Sequence, residues 1–288
     1  MVTIPEVDFS STNAAEQLRI ACTQLGFCYV LNHGISDDRP DSSVQGDAEF
    51  PCAFFSQPIE EKQKVLANKY MRGYTLMNEE TLDPAVQTRG DTKEDKAKFP
   101  TLQETMEKYY VAMCKLGFEM AKLFAEAAGE KGKFDGPGMF DKPMAALRLL
   151  HYAPEKSDVE KGVFGAGAHT DYGLITLLST DTTGGLQIFY EGKWVDVPPR
   201  DDVFVVNIGD MTERFTNREF KSTLHRVMNV SGEERYSVPF FFDPNFTCKV
   251  ECFSSCVSEE DPARYPPTTS GQHLLDKYKQ THASFDAQ

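Results

Sequence analysis

The stretch Leu174–Val197, LITLLSTDTTGGLQIFYEGKWVDV, decides the fold. It holds three short runs rich in β-branched and aromatic residues: Leu174–Thr180, Gly185–Tyr190 and Lys193–Val197. Gly184-Gly185 and Glu191-Gly192, which part them, are two-residue hairpin signals. Further runs of the same kind lie on either side: Leu147–Tyr152 before, and Asp202–Ile208, His225–Val230, Arg235–Phe242 and Val250–Phe253 after. Eight short strands at close spacing indicate a double-sheet jelly roll or barrel. Upstream the period changes. Ala14, Leu18, Ala21 and Leu25 recur at helical spacing until Gly26, and Phe27–Leu31 reads as a short buried strand. Residues 101–128 form the longest helical pattern, with Met106, Tyr110, Met113, Met120 and Phe124 on one broad core-packing stripe. Ser36–Pro51 is polar and carries Pro40, Gly46 and Pro51, which predicts a loop or a poorly formed helix. Gly129, Gly132, Gly136, Pro137 and Gly138 mark the best candidate boundary. The reading is an α+β fold in one compact unit. Residues 1–130 form a helix-and-strand region packed on a jelly-roll core of residues 140–288, which ends in a helix.

Composition narrows the function classes. The 288 residues carry 30 Lys and Arg against 44 Asp and Glu, a formal charge of −14. Such a surface repels phosphate backbones, so nucleic acid and anionic membranes are disfavoured as partners. The seven cysteines are odd in number and lack the short spacings of a disulfide framework, which indicates a reducing compartment. Cys248, Cys252 and Cys256 recur at every fourth position but have neither nearby His partners nor C-x2-C closeness, so they read as small buried side chains. Neither a signal peptide nor a membrane span is visible, and the expectation is a cytoplasmic monomer acting on a small molecule.

Of the six histidines, His169 has the most suggestive frame, His169-Thr170-Asp171. Residues i and i+2 of an extended segment point to one side, so imidazole and carboxylate can share an ion. His225 opens a later strand that could lie opposite. Two His and one carboxylate leave a face of an octahedral ion open, an arrangement suited to non-haem Fe(II) and O2. Ten residues beyond His225, Arg235 and Ser237 share a strand face and offer a fork and a hydroxyl to a carboxylate.

With the order H-x-D, His225, R-x-S, the chain resembles the isopenicillin N synthase-like family of Fe(II)/2-oxoglutarate dioxygenases. Echoes run along nearly its whole length: Asn32-His33-Gly34-Ile35, Gly185-Leu186-Gln187, Asn207-Ile208-Gly209-Asp210 and Ser222-Thr223-Leu224-His225-Arg226-Val227. The resemblance implies a double-stranded β-helix core with flanking helices and iron held by His169, Asp171 and His225. It implies that Arg235, Ser237 and Tyr152 bind 2-oxoglutarate and that Phe241 lies against the substrate, with O2 consumed and ascorbate as an optional reductant. Phe164, Phe189 and Phe242 are further candidate wall residues. The activity implied is hydroxylation, desaturation or oxidative ring closure of a small-molecule metabolite in specialised metabolism, with 2-oxoglutarate leaving as succinate and CO2. A kainoid-type cyclase, an Fe(II) oxidase without 2-oxoglutarate and a non-catalytic jelly-roll binding protein are the alternatives. The chain departs from the family's N-x-Y-P frame, with Leu150 and Ala153 where Asn and Pro are usual, and the Asp37–Phe50 stretch is unusually polar. His33, His273 and His282 read as structural or surface residues, and His151 as facing away from Tyr152.

Overall fold

A computed structural model describes residues 2–35, 54–67, 73–96 and 103–281. The Ser36–Pro51 reading and His282 lie outside these residues. In chain order the strands are β1 (Glu6–Asp8), β2 (Phe27–Leu31), β3 (Tyr74–Thr75), β4 (Lys93–Lys96), β5 (Pro143–Leu147), β6 (Leu149–Tyr152), β7 (Ala166–His169) and β8 (Ile175–Thr180). They continue as β9 (Leu186–Tyr190), β10 (Lys193–Asp196), β11 (Phe204–Ile208), β12 (His225–Val227), β13 (Arg235–Asn245), β14 (Lys249–Val250) and β15 (Thr268–Thr269). The helices are α1 (Ala14–Gln24), α2 (Ile59–Gln63), α3 (Gln103–Ala127), α4 (Asp210–Phe215) and α5 (Ser270–Thr281).

Two sheets face each other. The larger runs β1-β2-β11-β8-β13-β6-β4-β3, with β5 pairing to the far end of the long β13, and the smaller runs β10-β9-β12-β7. Alternation along each strand builds two cores. Leu150, Tyr152 and Val205 of the large sheet meet Ala166, Leu186, Ile188 and Val227 of the small one in the inner layer. Leu149, Ile175, Leu177, Phe204, Val238, Phe240 and Phe242 point the other way and are covered by Leu18 and Ala21 of α1 and by Met113, Met120 and Phe124 of α3. The helical stripe read from residues 101–128 is therefore core packing, as its spacing predicts.

The two turn signals in Leu174–Val197 resolve differently. Glu191-Gly192 is a hairpin: both residues have positive φ, +48° and +80°, and Tyr190 pairs with Lys193 across a two-residue turn. Gly184-Gly185 is not a hairpin, because β8 belongs to the large sheet and β9 to the small one. The pair carries the chain between layers, and a Cβ on Gly185 would sit 2.2 Å from the Met228 carbonyl oxygen. The run Val250–Phe253 contributes only Val250 to a strand, paired in β14–β15, before a 3₁₀ turn at Ser254–Cys256.

Sequence periodicity missed β1, β3, β4, β5, β7, β15, α2 and α4. The clearest case is β4, Lys-Glu-Asp-Lys, whose residues 93–95 are all buried. Its burial rests on ion pairs rather than apolar alternation, so no hydrophobic pattern announces it. Both β2 and β4, from the first 130 residues, are hydrogen-bonded into the same sheet as β6, β8, β11 and β13.

Candidate active site

His169 and His225 are cross-strand partners in the β7–β12 pairing, their ring centroids 4.3 Å apart. Asp171 Oδ1 lies 3.8 Å from His169 Nε2 and 3.7 Å from His225 Nε2. The three potential ligand atoms fall within 4.8 Å of one another, and no other such group of His, Cys, Asp and Glu occurs among the described residues. Each partner atom is already committed elsewhere. His169 Nδ1 donates to the Gly167 carbonyl at 2.7 Å, and His225 Nδ1 donates to the Thr223 carbonyl at 3.0 Å. Asp171 Oδ2 accepts from Thr176 Oγ1 at 2.5 Å and Asn207 Nδ2 at 2.7 Å. These bonds fix the tautomers, so both Nε2 lone pairs and Oδ1 converge on one point.

The electrostatics favour the metal-ready forms. Burial, then the neighbouring His225, lowers the His169 pKa to about 4, with Asp171 opposing. For Asp171 burial acts upward, but the two histidines and the Asn207 and Thr176 hydrogen bonds outweigh it and hold the carboxyl below its ordinary value. His169 ends β7, and Asp171 lies in the loop that leads into β8. The i, i+2 spacing nevertheless keeps the two side chains together.

Arg235 opens β13, opposite Tyr152, and its guanidinium carbon sits 4.7 Å from the centre of the Tyr152 ring. It is 1% exposed, yet Arg235 Nε, Arg235 Nη1 and the Ser237 hydroxyl have no hydrogen-bond partner. A buried guanidinium fork beside an unpaired hydroxyl leaves the donors a carboxylate would fill. The donor set thus fits both a divalent metal and a dicarboxylate co-substrate. Phe241 pairs with Thr176, the residue that holds Asp171, and so faces the inner layer.

Residues 144–244 match the 2OG-Fe(II) oxygenase superfamily, and residues 4–109 match the non-haem dioxygenase in morphine synthesis N-terminal family. The chain belongs to the 2OG-Fe(II) oxygenase superfamily. It is 34% identical to a 2-oxoglutarate-Fe(II) type oxidoreductase of Aspergillus fumigatus over 92% of this chain and 87% of that one. It is 32% identical to the kihadalactone A synthase LFS of Citrus sinensis, covering 94% of this chain and 89% of the other. Among solved structures, a full-length Neurospora crassa protein in complex with alpha-KG and thymine superposes with a TM-score of 0.83 at 28% identity, over 97% of each chain. This oxygenase is accordingly an Fe(II)- and 2-oxoglutarate-dependent enzyme with a double-stranded β-helix core.

The geometry separates the other candidates. Phe242 stacks on Phe140 in the outer core, and Phe189 is 40% exposed against Trp194 on the outside of the small sheet, so neither lines the interior. The Phe164 ring lies 5.9 Å from the guanidinium of Arg226, which also sits 4.0 Å from the Trp194 ring; these contacts are outside the inner cluster. His151 faces outward, with Nδ1 donating to Glu94 at 2.8 Å, and His273 donates to the Tyr172 carbonyl. His33 packs edge-on against Phe204. Cys248, Cys252 and Cys256 are free thiols.

Sequence reasoning missed Asn207 and Thr176 as Asp171's holders, although Asn207 stood within a family echo. It also missed a chain of buried ion pairs on the inner face. Asp91 accepts from the Gly167 N–H, two residues before His169, and pairs with Lys93 at 2.5 Å. Lys93 pairs in turn with Glu80 at 2.8 Å, and Glu80 with Arg148, which also binds Asp95. These five residues are scattered from position 80 to 148, and no linear motif joins them.

Proposed function

We propose that His169 Nε2, Asp171 Oδ1 and His225 Nε2 hold Fe(II), and that Arg235, Ser237 and Tyr152 hold the distal carboxylate of 2-oxoglutarate, so that this oxygenase oxidises a small-molecule metabolite. Hydroxylation is the default outcome. The observation that carries this reading is a pair of adjoining donor sets: three convergent ligand atoms whose other polar atoms are tied down, and a buried Arg–Ser pair with Arg235 Nε, Arg235 Nη1 and the Ser237 hydroxyl unpaired. Once bound, the metal and co-substrate supply the oxidising chemistry, consuming O2 and releasing succinate and CO2. The chain's own part is positioning. Thr176 and Asn207 aim Asp171, and the Gly167 and Thr223 carbonyls aim the imidazoles. Phe241, on the same face as Arg235 and Ser237 by alternation along β13, supplies an apolar wall against the substrate.

Anaerobic addition of 2-oxoglutarate to the Fe(II)-loaded protein is expected to raise a visible metal-to-ligand charge-transfer band. Iron binding without a band would mean that the Arg235–Ser237 clamp takes a carboxylate of the substrate itself. Failure to bind iron would overturn the metal assignment.

A further inference from the structure

His169 ends β7, the edge strand of the small sheet, whose neighbour is β12. The register between the two strands is irregular. His225 pairs with His169 and Val227 with Ala166, so three steps along β7 oppose two along β12. The extra residue falls at Gly167–Ala168 and forms a bulge beside a candidate metal ligand, a kink of the kind that re-aims a side chain. Side chains alternate at period two, so β7 without the bulge would set Ala168 opposite His225 and turn His169 to the other face. The aim of this imidazole therefore depends on keeping the bulge.

The bulge is held by a carboxylate from the first 130 residues. Gly167 N–H donates to Asp91 Oδ1 at 3.0 Å, and the Gly167 carbonyl accepts from His169 Nδ1 at 2.7 Å. A single residue thus joins Asp91 to the imidazole. Asp91 is fully buried and is itself fixed: Oδ1 also accepts from Gln87 Nε2 at 2.7 Å, and Oδ2 accepts from Lys93 Nζ. The approach is close enough to require glycine, since a Cβ at position 167 would sit 2.2 Å from Gln87 Oε1. Thr92, next in the chain, donates to the Phe164 carbonyl through its N–H at 3.0 Å and its hydroxyl at 3.1 Å. The Thr92 carbonyl accepts from Ala153 N–H at 3.1 Å, and β4 then pairs with β6. Residues 91–93 therefore staple the edge of the small sheet to the large one. Asp91 also neutralises Lys93, whose charge reaches His169. Lys93 keeps Glu80 at 2.8 Å as a second counter-ion, so the charge of Asp91 is the more dispensable of its two contributions.

We propose that Asp91 is a positioning residue for the metal site: by accepting the Gly167 N–H it locks the β7 bulge and the carbonyl that aims His169, so that the docked N-terminal region sets how tightly the core holds Fe(II). The assignment rests on the reading of His169, Asp171 and His225 as metal ligands. It gives the buried Asp91–Lys93 segment a task in the oxygenase beyond filling the sheet.

The test titrates Fe(II) anaerobically against a chromophoric chelator, and follows thermal unfolding of the metal-free protein alongside. Asp91→Ala removes the acceptor and should weaken Fe(II) binding about 10- to 100-fold, the usual effect of losing a group that orients a ligand. The ion-pair cluster survives this change, because Glu80 and Asp95 then balance Lys93 and Arg148. Asp91→Ser, polar but too short to reach Gly167, serves as the second variant should the alanine protein not fold, and should show the same loss. Asp91→Asn keeps an acceptor without the charge and should restore most of the affinity. Thr92→Val drops the hydroxyl bond to Phe164 and leaves Gly167 untouched, so it should lower Tm without moving Fe(II) affinity. Wild-type affinity in the alanine or serine protein would overturn the proposal. An asparagine protein as weak as the serine one would overturn it too, by assigning the effect to charge, and an equal loss in Thr92→Val would assign it to general loosening. A wild-type protein that binds no Fe(II) overturns the metal reading and this inference together, whereas any of the other results overturns this inference alone.

Discussion

Replacing Arg235 with methionine should separate co-substrate affinity from stability. Arg235 is the largest fully buried side chain among the described residues, and two of its nitrogens are unpaired. Those nitrogens are what a carboxylate would gain, and two charge-assisted hydrogen bonds in a dry site are together worth about 3 kcal/mol net. The expected loss of 2-oxoglutarate affinity is therefore roughly 150-fold. Stability should move little or upward, because methionine fills a similar volume and removes an unsatisfied buried cation. The opposing loss is the electrostatic support Arg235 gives Asp181, whose carboxylate also accepts from the Tyr236 N–H at 2.5 Å. Thermal unfolding at fixed Mn(II) reads both quantities. At a 2-oxoglutarate concentration 100 times the wild-type Kd, ligand binding adds about 2.7 kcal/mol. For a chain of this size that raises Tm by roughly 5–10 °C. At the same concentration the variant should gain about 1 °C or less. An affinity reduced less than about fivefold, or a ligand-free Tm far below wild type, would refute the reasoning, since either result means Arg235 is already satisfied in the free protein.

Other perturbations have equally definite outcomes. His225→Ala should abolish turnover and metal retention with the far-UV circular dichroism unchanged; retained iron and activity would sink the ligand assignment. Asn207→Ala removes one of the two donors to Asp171 Oδ2 and should lower metal affinity by about 10- to 100-fold in a chelator competition, with the fold intact. Asp243 is buried, accepts from the Leu174 N–H at 2.5 Å, and has its pKa pushed up to about 7 by burial. Folded Asp243 therefore keeps its proton between about pH 4 and 7 while the unfolded chain releases it, so this group's stabilising contribution is present below pH 4 and is lost as pH rises to 7. Asp243→Asn should remove that slope, up to about 4 kcal/mol in chemical denaturation across the window, and an unchanged pH profile would show that Asp243 is ionised when folded.

The chemistry was more legible in the sequence than the strands that present it. His169-x-Asp171 and Arg235-x-Ser237 share faces through a two-residue period, which is local geometry and survives even though His169 ends one strand and Asp171 lies in the next loop. The turn at Glu191-Gly192 was readable because two successive positive-φ residues have few other uses. Gly184-Gly185 carries an equally strong turn signal but joins two sheets, because which strand pairs with which is decided by the whole layer rather than by the turn.

The sequence by itself determined the α+β class, the apolar periodicity that builds both cores, and the residue types able to hold a metal and a carboxylate. Tertiary structure alone decided that His225 faces His169 across two strands, that Thr176 and Asn207 aim Asp171, and that Phe242 turns outward while Phe241 turns in. It also decided the burial of Asp91, Lys93, Glu94 and Asp95. A charged strand can be internal only when partners from distant segments, here Glu80, Arg148, Lys62 and His151, supply the opposite charge and the hydrogen bonds. That compensation is a property of the assembled fold, and no local pattern encodes it.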